Sequence, residues 1–234
     1  MEIKRVQTLA FNQLKELPPQ FIRSENEMPK NTKALEGVNV PIISLSQPHN
    51  LLVKKITQAA SEWGFFVITD HNISPKLIQN LQDVGHEFFS LPQKEKEIYA
   101  NDPSSGKFEG YGTKMTKNLE EKVEWLDYYF HLMSPPSKVD YEMWPKSPPS
   151  YREVVEEYNK EILSVLSNGK YKSVLHRSLV NKERKRMSWA VFITPPHEVV
   201  VGPLPQLVND QNPARFSTKT YAEYRYRKFN KIPQ

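Results

Sequence analysis

The 234-residue chain contains no cysteine. That excludes disulfides, thiolate zinc sites and a cysteine nucleophile, and it suits a reducing compartment. Glycine is scarce, 8 residues against 19 prolines, and with a mean hydropathy of −0.64 this predicts a good share of loop. Long apolar runs are missing too. Stretches such as Trp63 to Ile68 fall far short of the ~20 residues that cross a bilayer. Met1-Glu2-Ile3-Lys4-Arg5 carries charge where a secretory leader has its apolar stretch, and no small-residue cleavage site follows. The expectation is a soluble, cytoplasmic protein with no membrane insertion. Clustered positive charge is also lacking. The net charge is +5, but 32 basic residues alternate with 27 acidic ones. Only Lys182 to Arg186, interrupted by Glu183, and Arg225 to Lys231 are locally basic. This pattern describes a solvated surface rather than a nucleic-acid site.

What is present fits a globular chain with one core and a helical extension: 38% hydrophobic and 11% aromatic residues. Val6, Leu9, Ala10, Leu14 and Leu17 predict a helix over 4–17, ended by Pro18-Pro19. Val40 to Leu45 reads as a short strand, and residues 50–63 as an amphipathic helix with Leu52, Ile56, Ala59, Ala60 and Trp63 inward. Gly64 suits a left-handed cap, and the apolar run Phe65 to Thr69 predicts a buried strand. Ser74-Pro75 opens a helix by a hydroxyl cap and a first-turn proline, with Leu77, Ile78, Leu81, Val84 and Phe88 on one side. A shorter helix follows Leu91-Pro92. Residues 102–118 read as turns around Gly110-Tyr111-Gly112, and Val123 to Leu132 as a strand with aromatics on both faces.

Then the order breaks. Val154, Val155, Tyr158, Ile162 and Val165 predict a helix over 151–166, yet Asn168-Gly169 is a hairpin-turn pair. Tyr171 to Val180 and Met187 to Thr194 read as strands after that turn, and no strand precedes it. A helix running into half a hairpin is a local conflict. It suggests that this chain is spliced out of something longer.

Several stretches resemble the plant flavonol synthases, within the 2-oxoglutarate/Fe(II) dioxygenase family. They are Glu62-Trp63-Gly64-Phe65-Phe66-Val67 leading to Asp70-His71, Phe88-Phe89-Ser90-Leu91-Pro92, Glu109-Gly110-Tyr111-Gly112-Thr113-Lys114, Trp144-Pro145-Lys146, and Leu166 to Arg177. The resemblance falls into two blocks, 1 to about 165 and about 166 to 234, with about a hundred residues of the family absent between them. It implies an α+β fold, a double-stranded β-helix (jelly roll) with flanking helices, incomplete because of an internal deletion. Residues 1–150 would be the N-terminal dioxygenase region. Residues 151–234 would be a helix followed by the C-terminal remnant of the jelly roll.

The implied chemistry uses Fe(II), 2-oxoglutarate and ascorbate, with two histidines and a carboxylate holding the metal. The family brings one histidine and the carboxylate as His-x-Asp on a strand, where residues two apart share a face. Here His49, His71, His86, His131, His176 and His197 are followed two places on by Leu51, Ile73, Phe88, Met133, Ser178 and Val199. By resemblance His176 is the second iron ligand, bereft of its partners. Arg186 and Ser188, on one face of a predicted strand, match the family's grip on the distal carboxylate of 2-oxoglutarate, which takes a bidentate guanidinium. Tyr128, Phe130 and Phe192 match positions lining the pocket for a flavonoid-like substrate, a dihydroflavonol. Thr194 stands where flavonol synthases often carry glutamate, and Asn72 replaces a usual glycine, a change that asparagine's tolerance of left-handed angles allows.

Asp127 with His131, and Glu120 with Glu121, form no recognised constellation. The expected function is a flavonol-synthase-like dioxygenase converting dihydroflavonol to flavonol, with this chain inactive. The alternative is a non-catalytic splice or gene-model product with at most an interaction role. Removing strands from a jelly roll leaves open edges beside Val174, Leu175, Trp189, Val191 and Phe192, so a tendency to aggregate is expected.

Overall fold

The computed structural model describes residues 4–11, 14, 16–22, 37–102, 107, 109–113, 124–163, 184–203, 205–211, 213–214, 216–230 and 232–233. The chain divides into two compact units, Met1–Met187 and Ser188–Gln234.

In the first unit, β1 (Ile42–Ser44) pairs in parallel with β2 (Val67–Thr69), Ile42 opposite Val67. The connecting helix α2 (His49–Glu62) buries Ala59 and Ala60 and contacts β1. It stops where Gly64 turns left-handed at φ 76° and its N–H bonds back to Ala59 O at 3.2 Å, the cap its sequence predicts. Ile43 is buried, but Ile42 and Val67 are 67% and 47% exposed. The run Phe65 to Thr69 is therefore not the buried strand its apolar content predicts. Burial on both faces needs two covering layers, and one helix with one neighbouring strand covers a single face.

Asp70 and Asn72 both take positive φ, 52° and 62°, in the turn that leads to α3 (Pro75–Ser90). Asn72 accordingly stands in for glycine as expected. Ser74 occupies the cap position without the hydroxyl cap bond its sequence predicts; its carbonyl accepts the Ile78 N–H at 3.1 Å, and Pro75 takes the first helical position. Leu77, Leu81, Val84 and Phe88 form its buried stripe at helical spacing. Leu91-Pro92 ends the helix, and α4 (Gln93–Glu97) follows.

The Gly110–Gly112 segment is a strand, β3, where sequence predicts turns. It pairs antiparallel with β4 (Tyr128–Phe130), Tyr111 opposite Tyr129. Tyr111 is fully buried, and burial of that ring is what holds so glycine-rich a stretch in a ladder. Gly110 sits at φ 110°, and a Cβ there would lie 2.3 Å from Tyr99 O. Only glycine permits that approach. The ladder is shorter than the strand expected over Val123 to Leu132.

Phe88, 1% exposed, centres the core. It packs edge-on against Tyr129 at 4.8 Å and Phe89 at 5.3 Å, with Tyr111, Tyr99 and Tyr151 within 6.3 Å. Such pairs add about 0.5–1.5 kcal/mol each beyond burial. Helix α5 (Tyr151–Leu163) lies on α3 and buries Tyr151, Val154 and Val155. A satellite cluster joins Val6, Leu9 and Phe21 to Trp125. Here α1 covers only Val6–Phe11, shorter than the predicted 4–17, and Leu14 and Leu17 are exposed. Apolar spacing without a surface to bury against does not sustain a helix.

In the second unit β5 (Val200–Val201) pairs antiparallel with β6 (Lys219–Thr220), and α6 (Tyr221–Phe229) follows directly. Thr220 caps α6, accepting from Glu223 N–H at 3.2 Å.

The mixed α and β content is as expected. Among the described residues the strands form two-stranded pairs. Residues 184–199 carry no strand, so the strand predicted over Met187 to Thr194 does not form. A strand exists only with a ladder partner, and the described residues offer it none. The Asn168-Gly169 pair and Tyr171 to Val180 lie outside the described residues.

Candidate functional site

Alternation along β4 decides which aromatics face outward from the core. Tyr129 points at Phe88 and donates its hydroxyl to Met143 O. Tyr128 and Phe130, its neighbours on either side, share the opposite face, half-buried. This is the one pairing of predicted site residues that the described elements bring together. Asn101, which sequence reasoning missed, donates its side-chain amide to the Tyr128 hydroxyl at 2.6 Å. Burial pushes the Tyr128 phenol up to about 12, while the Asn101 bond pulls the other way. Gly112 lies beneath the contact: a Cβ there would come within 2.6 Å of Asn101 Oδ1 and 2.7 Å of the Tyr128 hydroxyl.

Asp127, just before this strand, ties the unit's N-terminal segment to it. Its carboxylate accepts the N–H groups of Val6 at 2.9 Å and Gln7 at 2.8 Å, so it caps α1 from a distance of over a hundred residues. It also accepts from Thr113 Oγ1 at 2.7 Å and the Tyr111 hydroxyl at 3.2 Å. Arg5 grips Glu97 with two bonds of 2.8 Å, which hold the Glu97 carboxyl below its ordinary range. Buried Lys96 donates to Gln7 Oε1 at 2.6 Å and Phe89 O at 3.1 Å. Burial draws its ammonium below the usual lysine range, with Asp127 and Glu97 opposing.

His131, two residues past Tyr129, stacks on Trp144 at 4.1 Å and places Nε2 3.3 Å from the Tyr151 hydroxyl. Its Nδ1 is buried with no hydrogen-bond partner. Burial lowers its pKa to about 4, so the ring is neutral at physiological pH. Asp127 and His131 thus serve separate clusters, one polar and one aromatic.

His176 lies outside the described residues. Arg186 and Ser188 are exposed, and without a strand they do not share the strand face predicted for them. Phe192 is 81% exposed in the second unit, and Thr194 is exposed as well.

The donor set decides whether iron fits. No group of three His, Cys, Asp or Glu that could hold a metal ion exists among the described residues. His131 is enclosed by aromatic rings, His71 Nδ1 accepts the Ile73 N–H at 3.1 Å, and His197 Nε2 lies 3.3 Å from Arg225. The described residues do not fit an iron centre. No helix among them is long and apolar enough to cross a membrane.

Comparison with known proteins defines the class. Residues 40–150 match the family model of the non-haem dioxygenase N-terminal region (described as in morphine synthesis), and residues 136–195 match that of the 2OG-Fe(II) oxygenase superfamily. Enzymes of that superfamily use Fe(II) and 2-oxoglutarate. The flavonol synthase/flavanone 3-hydroxylase of Eustoma exaltatum subsp. russellianum is 34% identical over 335 aligned positions, covering 100% of both chains. That of Petunia hybrida is 36% identical over 337 positions, covering 100% of this chain and 97% of its own. The chain belongs to the flavonol-synthase-related 2-oxoglutarate/Fe(II) dioxygenases. A solved structure, JOX2 in complex with 2OG, Fe and JA, superposes with a TM-score of 0.61 at 34% identity. The match covers 70% of this chain but only 46% of that one.

Proposed function

We propose that this chain is a flavonol-synthase-type polypeptide of flavonoid metabolism whose catalytic centre is incomplete, so that it does not convert dihydroflavonol to flavonol. The observation that carries the reading is alignment length. The alignment with the Eustoma enzyme takes in both chains whole, yet it spans 335 positions for 234 residues, a difference of 101 positions that this chain does not fill. The absence of His-x-Asp and His-x-Glu throughout the sequence supports the same conclusion. So does the short match to the oxygenase half, residues 136–195. In this reading the gap falls near 165–167, after α5. His176 is a surviving iron ligand, Arg186 and Ser188 are surviving contacts for 2-oxoglutarate, and Tyr128, Phe130 and Phe192 are remnants of the substrate pocket. The N-terminal model ends at residue 150, which supports a division into 1–150 and 151–234.

Iron affinity requires a preformed ligand set, and one histidine is not such a set. Anaerobic titration of the purified chain with Fe(II) and 2-oxoglutarate should show no metal-to-ligand charge-transfer band. A band saturating at one iron per chain would overturn the reading. Inserting the corresponding block of a full-length flavonol synthase between Val165 and Ser167 should create both the band and dihydroflavonol-dependent turnover. His176→Ala in that restored protein should abolish both.

A further inference from the structure

Three cations in a row, Arg184-Lys185-Arg186, precede Met187 and Ser188. No other serine or threonine of the chain has basic residues at all of the positions four, three and two before it. Two threonines come near by sequence: Thr8 follows Lys4-Arg5, and Thr57 follows Lys54-Lys55. Both lie inside helices, α1 and α2, whose backbone groups are taken up by helical hydrogen bonds. Ser188 is placed differently. Residues 184–196 form neither helix nor strand, and Arg184, Lys185, Arg186 and Ser188 are all exposed. Lys185 Nζ stands 5.3 Å from the centre of the exposed Phe11 ring, and a cation–ring contact at an exposed site is weak.

We propose that Ser188 is a phosphorylation site for a protein kinase whose substrate groove is acidic and reads the cations on its N-terminal side. A groove of that kind takes its substrate as extended chain, which residues 184–196 can supply and a helix cannot. Carboxylates of the groove pair with Arg184 and Arg186 through charge-assisted, bidentate bonds, and Lys185 adds a point charge. In the transfer, Ser188 Oγ bonds to the γ-phosphorus of ATP and the bond from that phosphorus to the β–γ bridging oxygen breaks. ADP leaves, and the hydroxyl proton passes to the catalytic aspartate of the kinase. The product carries a charge of about −2 beside two guanidinium groups, which hold phosphate bidentately. The proposal uses only the exposure of Ser188 and the charge that precedes it. It is independent of the reading of Arg186 and Ser188 as remnants of a 2-oxoglutarate site.

The test incubates the full chain with magnesium ATP and the catalytic subunit of cyclic-AMP-dependent protein kinase, and locates phosphate by tandem mass spectrometry. Phosphate should appear on Ser188 ahead of every other residue, with Thr8 and Thr57 unmodified. Ser188→Ala should remove most of the incorporation, and Ser188→Thr, which keeps the hydroxyl, should restore it. Arg184→Ala and Arg186→Ala should each lower kcat/KM by about tenfold, the value of one hydrogen bond to a charged group. Arg184→Lys and Arg186→Lys should lower it less, because the charge is kept while the fork is lost. An unmodified Ser188, phosphate on Thr8 or Thr57 in preference to it, or modification of Ser188 indifferent to both alanine substitutions overturns the proposal.

Discussion

Acid should loosen the aromatic core through His131. Its ring is stacked on Trp144 and flanked by Tyr129 and Tyr151, and Nδ1 is shielded from water without a partner. Protonating it places a charge among ring faces, with the Tyr151 hydroxyl and the backbone of His131 and Leu132 beside it, which oppose the burial cost only in part. The folded pKa is lowered from 6.5 to about 4, so between these values the unfolded chain binds the extra proton and the folded one does not. Stability is therefore present above pH 6.5 and falls as the pH drops toward 4. The linkage integral gives a loss of about 2 kcal/mol between pH 7 and pH 5. His131→Phe keeps the stack and removes the titration. Urea unfolding in dilute solution, followed by tryptophan fluorescence, should show wild type losing about 2 kcal/mol over that interval and the variant losing almost none. Glu97 and the other carboxylates contribute equally to both proteins and cancel. A variant whose stability falls in parallel with wild type would refute the argument, since the acid sensitivity would then reside elsewhere.

Two further perturbations probe the scaffold under β4. Asp127→Ala removes the acceptor of four hydrogen bonds, two of them from the start of α1. It should destabilise the unit by about 2–4 kcal/mol and collapse hydrogen-exchange protection at Gln7 and Leu9; unchanged protection there would count against the capping role. Gly110→Ala would force a Cβ against Tyr99 O at 2.3 Å in a left-handed backbone. Its expected cost is about 3 kcal/mol, read from the midpoint of thermal unfolding, and a variant melting with wild type would refute the strain.

Exposure of apolar side chains in the second unit bears on handling the protein. Val191, Phe192 and Ile193 are 41%, 81% and 44% exposed in a segment without strand pairing. Exposed apolar runs of this kind are where association between copies of a chain generally begins.

Local chemistry determined much of this protein without help from the fold. Apolar periodicity placed α2, α3 and α5 almost to the residue, because each buries one stripe at 3.6 spacing. Gly64 and Asn72 adopt the positive φ that their types permit. The absent His-x-Asp is a property of sequence alone. Tertiary structure decided the rest. Tyr128 and Tyr129 are adjacent and alike in composition; resemblance singles out Tyr128, and the pairing of β4 with β3 turns Tyr129 onto Phe88 in the core. Gly110-Tyr111-Gly112 reads as a turn and becomes a strand because a buried tyrosine outweighs two glycines. Asp127 finds its partners at Val6 and Gln7, and Asn101 finds Tyr128, through contacts between segments far apart in the chain. No local pattern encodes such contacts, because their free energy arises only when distant segments pack together and exclude water.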